Sequence, residues 1–98
     1  MKHVIENETL TISLEGELNS YNSEEVEREI DAIVAQGGFK SIKLDLAELR
    51  YISSAGLRII VRLKQQYDDT ILVNVPKGVY DIFEMVGFSN LFTIERMK

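Results

Sequence analysis

Two stretches of the chain alternate apolar and polar residues, and this pattern predicts β-strands. Residues 9–15 and residues 41–46 alternate throughout, as strands do when one face lies on a core. Residues 71–75 are almost entirely β-branched and aliphatic, which is typical of a strand covered on both faces. Residues 4–6 are a short hairpin partner for the first strand across Asn7 and Glu8, and residues 91–94 are a fifth candidate.

Apolar residues at helical spacing lie between these strands. Val26, Ile30, Ile33 and Val34 fall at i, i+4, i+7 and i+8, which predicts a helix over residues 23–35 that ends before two glycines at 37 and 38. The same spacing predicts helices over residues 54–66 and 77–86, the last of them ending at Gly87.

The first helix has a marked start in the sequence. Asn22 is expected to cap it, and Glu25 three residues later completes a capping box. Tyr21 is expected to pack against Val26 as a hydrophobic staple.

The order of elements is therefore β-β-α-β-α-β-α-β. Strands joined by single helices imply crossover connections, so the sheet is expected to be largely parallel. The predicted fold class is α/β, with a central mixed, mostly parallel sheet of four to five strands packed with three main helices. Because no linker or low-complexity segment divides the 98 residues, a single domain over residues 1–98 is expected.

Composition excludes several classes of function. The chain has 16 acidic and 11 basic residues, a formal net charge of -5, and nucleic acid binding needs a basic surface instead. It has no cysteine and one histidine, His3, so neither a cysteine site nor a paired-histidine metal site is expected. No apolar run approaches the roughly 20 residues that cross a bilayer, so no direct membrane insertion and a cytoplasmic location are expected.

Catalytic patterns are also missing from the sequence. The glycines fit neither a dinucleotide-binding nor a Walker loop, and a serine triad would depend on His3 near the N-terminus. We therefore expect no enzyme activity, no catalytic residue, no metal and no cofactor.

Two adjacent serines precede the second helix. If Ser53 is the N-cap, Ile52 and Leu57 have the spacing of a hydrophobic staple, and Ser54 occupies the first helical position with a hydroxyl that capping does not need. A phosphate on Ser54 would meet the first-turn N–H groups and the positive end of the helix dipole, within reach of Arg58 one turn later.

The residues around these serines resemble a known signature. Asp45 and Leu46, followed by residues 51–58 (YISSAGLR), resemble the signature of the STAS domain of bacterial anti-sigma factor antagonists. Residues 16–19 (GELN) and residues 83–92 resemble the flanking segments of that family, so the resemblance covers nearly the whole chain.

The resemblance implies a function as a phosphorylation-controlled antagonist. In the family, a serine-kinase anti-sigma factor phosphorylates a serine or threonine at the start of the second helix, and a metal-dependent serine phosphatase reverses this. The unphosphorylated antagonist binds the anti-sigma factor and so releases a sigma factor. Any nucleotide would belong to the kinase partner. The expected partner-binding residues are Asn19, Ser20, Tyr21, Ser53, Ser54, Ala55, Gly56 and Arg58.

Two alternatives stay open at this point. Alignment on Gly56 and Leu57 places the family's phosphoacceptor at Ser54 and its preceding aspartate at Ser53, so Ser53 is a competing acceptor. Some STAS proteins are scaffold subunits of membrane transport complexes and need no phosphorylation. In such a protein Ser54 would be only a helix-start residue.

Overall fold

The computed structural model describes residues 1–98 as a five-stranded sheet with three α-helices. The strands lie side by side in chain order; the first is antiparallel to the second, and all other neighbours are parallel. This confirms the predicted α/β class. The elements are β1 (Lys2–Glu6), β2 (Thr9–Leu18), α1 (Ser23–Ala35), β3 (Ser41–Ile52), α2 (Ser54–Gln66), β4 (Ile71–Val75), α3 (Lys77–Met85) and β5 (Ile94–Arg96).

The helices cover one face of the sheet. Each helix connects one parallel strand to the next strand along the sheet, always in the same direction. Because such crossover connections are right-handed, all three helices lie on the same side of the sheet. In residues 9–14 of β2 and 41–46 of β3, alternate residues are buried, while the residues between them are partly or fully exposed. The core therefore lies between the helices and one sheet face. Its fully buried members include Leu10, Ile12, Ile42, Leu44, Leu72, Ile30, Ile60, Leu63 and Phe83.

Strand β3 is longer than its sequence pattern predicts. The alternation predicts a strand that ends at residue 46, but pairing with β2 continues to Ile52. The register shifts between Ser13 and Glu15 and again between Gly16 and Glu17, and at each shift β3 contributes an extra residue. Because of these bulges, the buried Leu46, Leu49 and Ile52 are three positions apart instead of two. The second half of the strand therefore lacks the strict alternation that predicts a strand.

The last strand lies later in the chain than predicted. Residues 88–90 form a 3-10 helix, and the strand covers Ile94–Arg96 instead of residues 91–94. The aromatic side chains explain the difference. Phe88 lies 5.3 Å from Phe83 and 4.9 Å from Phe92 between ring centroids, so Phe92 turns into the core before the strand begins.

Candidate functional site

The candidate site lies where the parallel strands β2 and β3 end. Leu18 and Ile52 are register partners, and the backbone N–H of Ser53 donates to the carbonyl oxygen of Leu18 at 2.8 Å. Asn19 and Ser53 therefore leave the sheet side by side. The structure brings together two predicted segments, residues 19–21 and 53–58, which are more than thirty positions apart in the sequence.

Ser53 caps helix α2, as predicted from the sequence. Its Oγ accepts a hydrogen bond from the backbone N–H of Gly56 at 3.3 Å, and its backbone is extended, with φ -91° and ψ 174°. The N–H of Leu57 donates to the carbonyl oxygen of Ser53 at 2.9 Å and closes the first turn. The Ser53 hydroxyl is thus already engaged in holding the helix start.

Gly56 lets the first turn of α2 approach both strand ends. A Cβ at this position would lie 2.7 Å from Cγ of Leu18 and 2.8 Å from Cγ1 of Ile52. Such distances are shorter than any normal carbon contact, and both neighbours are buried. Glycine is therefore needed here for close packing, and its backbone φ is not in the left-handed region.

Ser54 is exposed at the first position of α2. Arg58, one turn later, is also exposed and lines the same shallow groove as Ser54. No carboxylate lies within ion-pair distance of the Arg58 guanidinium, since each of the chain's ion pairs uses another cation. The site thus combines an exposed hydroxyl, a helix N-terminus and an unpaired guanidinium.

Arg62, the next arginine on the same helix, has a different role. Its Nε lies 2.7 Å from Oε2 of Glu27, and a terminal nitrogen lies 2.7 Å from Oδ1 of Asp31. Hydrogen bonding to Asp31, together with that to Glu27, raises the pKa of Arg62 above its ordinary value. Arg62 therefore ties α2 to α1, which leaves Arg58 as the cation available near Ser54.

The loop before α1 is held by two asparagines. Oδ1 of Asn19 accepts hydrogen bonds from the backbone N–H groups of Tyr21 and Asn22, at 2.9 and 3.0 Å. In return, Oδ1 of Asn22 accepts from the N–H of Asn19 at 2.9 Å, and its Nδ2 donates to the carbonyl oxygen of Glu17 at 2.7 Å. This network fixes the loop beside Ser53, with the Ser20 and Tyr21 side chains exposed.

The predicted capping box and staple at this helix are wrong. Asn22 makes no side-chain capping bond, because Asn19 already uses its oxygen and Glu17 its amide nitrogen. The N–H of Asn22 donates to Asn19, so it does not bind Glu25. Tyr21 is 97% exposed, so it does not pack against Val26 as a staple.

An apolar groove beside Ser54 was not found from the sequence. It has a volume of about 480 Å³ and is bordered by α2 and by the segment after α3. Val86 is 48% exposed there, and Phe88 forms part of the wall. The only signal in the sequence was the apolar Val86 directly before Gly87. That residue had already been assigned to the apolar face of the helix that ends at Gly87. The groove is lined by Ser54, Leu57, Arg58, Val61, Arg62, Gln65, Val86 and Phe88.

The structure lacks two further features that would bear on the chemistry of the site. No group of three His, Asp or Glu side chains is arranged so that it could hold a metal ion. No helix has both the length and the apolar character needed to span a membrane.

The fold and this junction define a small α/β domain of the STAS type. The STAS domain model matches residues 1–97, and the chain belongs to this family. It is 37% identical over 93 residues to BtrV of Bordetella bronchiseptica, assigned as an anti-sigma factor antagonist; the match covers 91% of this chain and 79% of BtrV. It is 24% identical over 93 residues to the anti-sigma-B factor antagonist of Listeria monocytogenes, covering 91% of this chain and 81% of that protein.

Solved structures of SpoIIAA show the same fold. The unphosphorylated form of this anti-sigma factor antagonist superposes with a TM-score of 0.76 at 22% identity, covering 95% of this chain and 85% of SpoIIAA. The phosphorylated form, from Bacillus, gives a TM-score of 0.68 at 21% identity, covering 95% and 88%. By sequence and structure the chain groups with the anti-sigma factor antagonists, a family of generally non-enzymatic regulators.

Proposed function

We propose that this protein is a phosphorylation-controlled partner switch in which Ser54 is the phosphoacceptor. In its unphosphorylated form it binds a serine-kinase anti-sigma factor and so releases a sigma factor. The observation that carries the proposal is that the two adjacent serines differ in their contacts. Ser53 caps α2, while Ser54 is exposed with Arg58 one turn away.

The helix start is suited to a phosphate on Ser54. The first-turn N–H groups and the positive end of the helix dipole stabilise an anion at this position. Arg58 has no carboxylate partner to give up before it can pair with a phosphate, and an arginine–phosphate contact is a strong charge-assisted bond. Phosphorylation is therefore expected to leave the domain folded and to act on whatever binds over this surface.

The same contacts favour Ser54 over Ser53 as the acceptor. Phosphorylation of Ser53 would modify the hydroxyl oxygen that accepts the capping hydrogen bond from the Gly56 N–H. Ser53 is also partly buried, and its backbone nitrogen lies 2.8 Å from the carbonyl oxygen of Leu18 at the end of β2. Phosphorylation of Ser54 disturbs no capping bond. A kinase can reach the Ser54 hydroxyl without opening the helix start.

The partner surface is proposed to extend from the asparagine loop across the start of α2. Asn19, Ser20 and Tyr21 lie on one side of the junction, and Ser53, Ser54, Ala55, Gly56 and Arg58 lie on the other. The exposed ring of Tyr21 provides the kind of amphipathic anchor that is enriched in protein interfaces. Phosphate at Ser54 adds about -1.5 to -2 charges at pH 7 to this surface, which makes docking unfavourable against an acidic or apolar partner.

The proposed switch also includes a cellular location, a source of nucleotide and a phosphatase. The protein acts in the cytoplasm, where the kinase partner supplies the bound nucleotide and a metal-dependent serine phosphatase removes the phosphate. BtrV and the Listeria protein are named as anti-sigma factor antagonists, and SpoIIAA has structures in both phosphorylation states, which supports this assignment.

Incubation with the candidate kinase and ATP, followed by mass-spectrometric mapping of the phosphate, tests the proposal. We expect Ser54→Ala to abolish phosphorylation while kinase binding and thermal stability stay close to the parent's, because alanine is tolerated at the first helical position. Ser53→Ala is the matched control. It should still be phosphorylated but be less stable by about 1 kcal/mol, since it loses the cap.

Persistent phosphorylation of Ser54→Ala together with its loss in Ser53→Ala would reverse the assignment of the acceptor. If neither serine is modified and the kinase does not bind, the phosphoswitch is wrong, and a constitutive scaffold role in a transport complex becomes the better explanation.

A further inference from the structure

Strand β1 leaves one edge of the sheet open. It is the first strand in the sheet order and pairs only with β2, and all five of its residues are exposed. Val4 is 46% and Ile5 37% exposed. The opposite edge is β5, which has only three residues, so β1 is the longer open edge. An unpaired edge of this kind is a template for a further strand.

The turn after β1 determines which backbone groups face outward. Asn7 and Glu8 both have positive φ, 51° and 63°, which is the geometry of a two-residue type I′ hairpin turn. The pair that closes such a turn, Glu6 with Thr9, exchanges hydrogen bonds, and hydrogen-bonded pairs then alternate along the strands. Lys2, Val4 and Glu6 therefore direct their backbone groups to β2, whereas His3 and Ile5 direct theirs outward.

The sequence of β1 is complementary to itself in an antiparallel pairing centred on Val4. In that register His3 faces Ile5 of a second copy, so the outward-directed backbone groups of both copies meet and exchange their hydrogen bonds. Val4 faces Val4. Lys2 faces Glu6 of the other copy, and the two-fold axis repeats this opposite-charge contact at the other end of the strand.

Neighbouring symmetric registers lack this charge match. Centring on His3 places Lys2 opposite Val4, and centring on Ile5 places Glu6 opposite Val4 and Lys2 opposite Glu8, outside the strand. Centring on Val4 gives the full overlap of the strand and places both of its charges in non-hydrogen-bonded pairs, where facing side chains lie closest.

We propose that two copies of this chain associate through β1 in the register centred on Val4, forming one continuous sheet across a two-fold axis. The surface is isologous, as expected of a closed dimer. The occupant is a second copy because the charge pattern matches the strand to itself. This proposal does not depend on phosphorylation at Ser54, so either can fail without the other.

Charge reversal tests this register directly. Lys2→Glu places two glutamates opposite each other at both ends of the pairing, and Glu6→Lys places two lysines opposite each other in the same way. We expect each variant alone to dimerise at least roughly tenfold more weakly than the parent, in sedimentation experiments over a concentration series. An equimolar mixture of the two variants should restore dimerisation, because every facing pair then has opposite charges. The Lys2→Glu/Glu6→Lys double variant should restore it too.

A backbone variant provides a second, independent readout. Ile5→Pro removes an outward-directed N–H and leaves the bonds to β2 in place, so it should weaken the dimer while far-ultraviolet circular dichroism still shows the fold. A parent protein that stays monomeric up to about millimolar concentration would overturn the proposal. So would a dimer that is insensitive to both charge reversals and to Ile5→Pro, since another surface must then hold it.

Discussion

Gly56 shows how one residue sets the geometry of the whole junction. Glycine in a helix is unfavourable by roughly 0.5–1 kcal/mol relative to alanine, so propensity alone argues against it at this position. The structure supplies the reason: the side chains of Leu18 and Ile52 occupy the space that a Cβ would need. The glycine of the signature is therefore explained by packing between α2 and the ends of two strands.

Replacement of Gly56 by alanine should destabilise the protein. Overpacking a buried contact typically costs about 1–3 kcal/mol, which exceeds the gain in helix propensity. Gly78→Ala is the matched control, because a Cβ at Gly78 in α3 would meet no atom within 4 Å and the φ there is not left-handed. That variant should be as stable as the parent or up to about 1 kcal/mol more stable.

Denaturant unfolding of the two variants measures this difference. Equal stabilisation of both would mean that the strand ends move away from α2 at little cost, and would contradict the account of Gly56 as a packing requirement.

Among the elements, the start of α1 shows two local hydrogen-bonding patterns that compete for the same asparagine side chain. Asparagine and aspartate are about equally good N-caps, so a capping box predicts that Asn22→Asp is neutral. In the structure, however, Nδ2 of Asn22 donates to the carbonyl oxygen of Glu17 at 2.7 Å, and aspartate would place an acceptor against an acceptor.

Asn22→Asp is therefore expected to lower the free energy of unfolding by about 1–2 kcal/mol, since a hydrogen bond is lost and a carboxylate meets a carbonyl oxygen. Thermal melts of the parent and the variant at neutral pH provide the measurement. A variant as stable as the parent would mean that the capping interpretation describes the helix start better than the asparagine network does.

Strand β3 shows a second limit of local patterns. Its first half alternates strictly and was predicted, whereas its second half spaces Leu46, Leu49 and Ile52 three apart because of two bulges against β2. A bulge is a property of the pair of strands, so one strand's sequence does not reveal it. As a result, the extended strand places Ser53 directly beside the end of β2.

At the scale of the whole molecule, the proposed switch requires that folding and binding respond differently to charge at Ser54. Ser54→Asp places an anion at the N-terminus of α2, which stabilises a helix by about 0.3–1 kcal/mol. At a partner interface, the same carboxylate must lose water and face the partner's surface. We therefore expect an unchanged or slightly raised melting temperature, and binding to the kinase partner at least roughly tenfold weaker, or about 1.4 kcal/mol.

Ser54→Asn separates charge from size in this experiment, since it has nearly the shape of aspartate without the charge, and it should bind more tightly than Ser54→Asp. A lowered melting temperature with a proportional loss of binding would instead mean that the charge disrupts the fold. Equal binding by the parent and both variants would favour a scaffold that Ser54 does not regulate. Thermal melts and calorimetric titrations on the same preparations distinguish these outcomes.

Local sequence patterns were sufficient to predict the α/β class, the bounds of α1 and α2 and the Ser53 cap, because these depend on hydrophobic period and on contacts between residues a few positions apart. The signature around Ser54 also identified the family. The three-dimensional structure was needed to reveal the length of β3, the asparagine network before α1 and the groove formed with Val86 and Phe88. The length of β3 and the groove arise where segments distant in the chain pack together, and such packing leaves no periodic signal in either segment. The asparagine network is local, within residues 17–22, but its side chains can form several alternative hydrogen bonds with the nearby backbone, so the sequence alone does not select one of them.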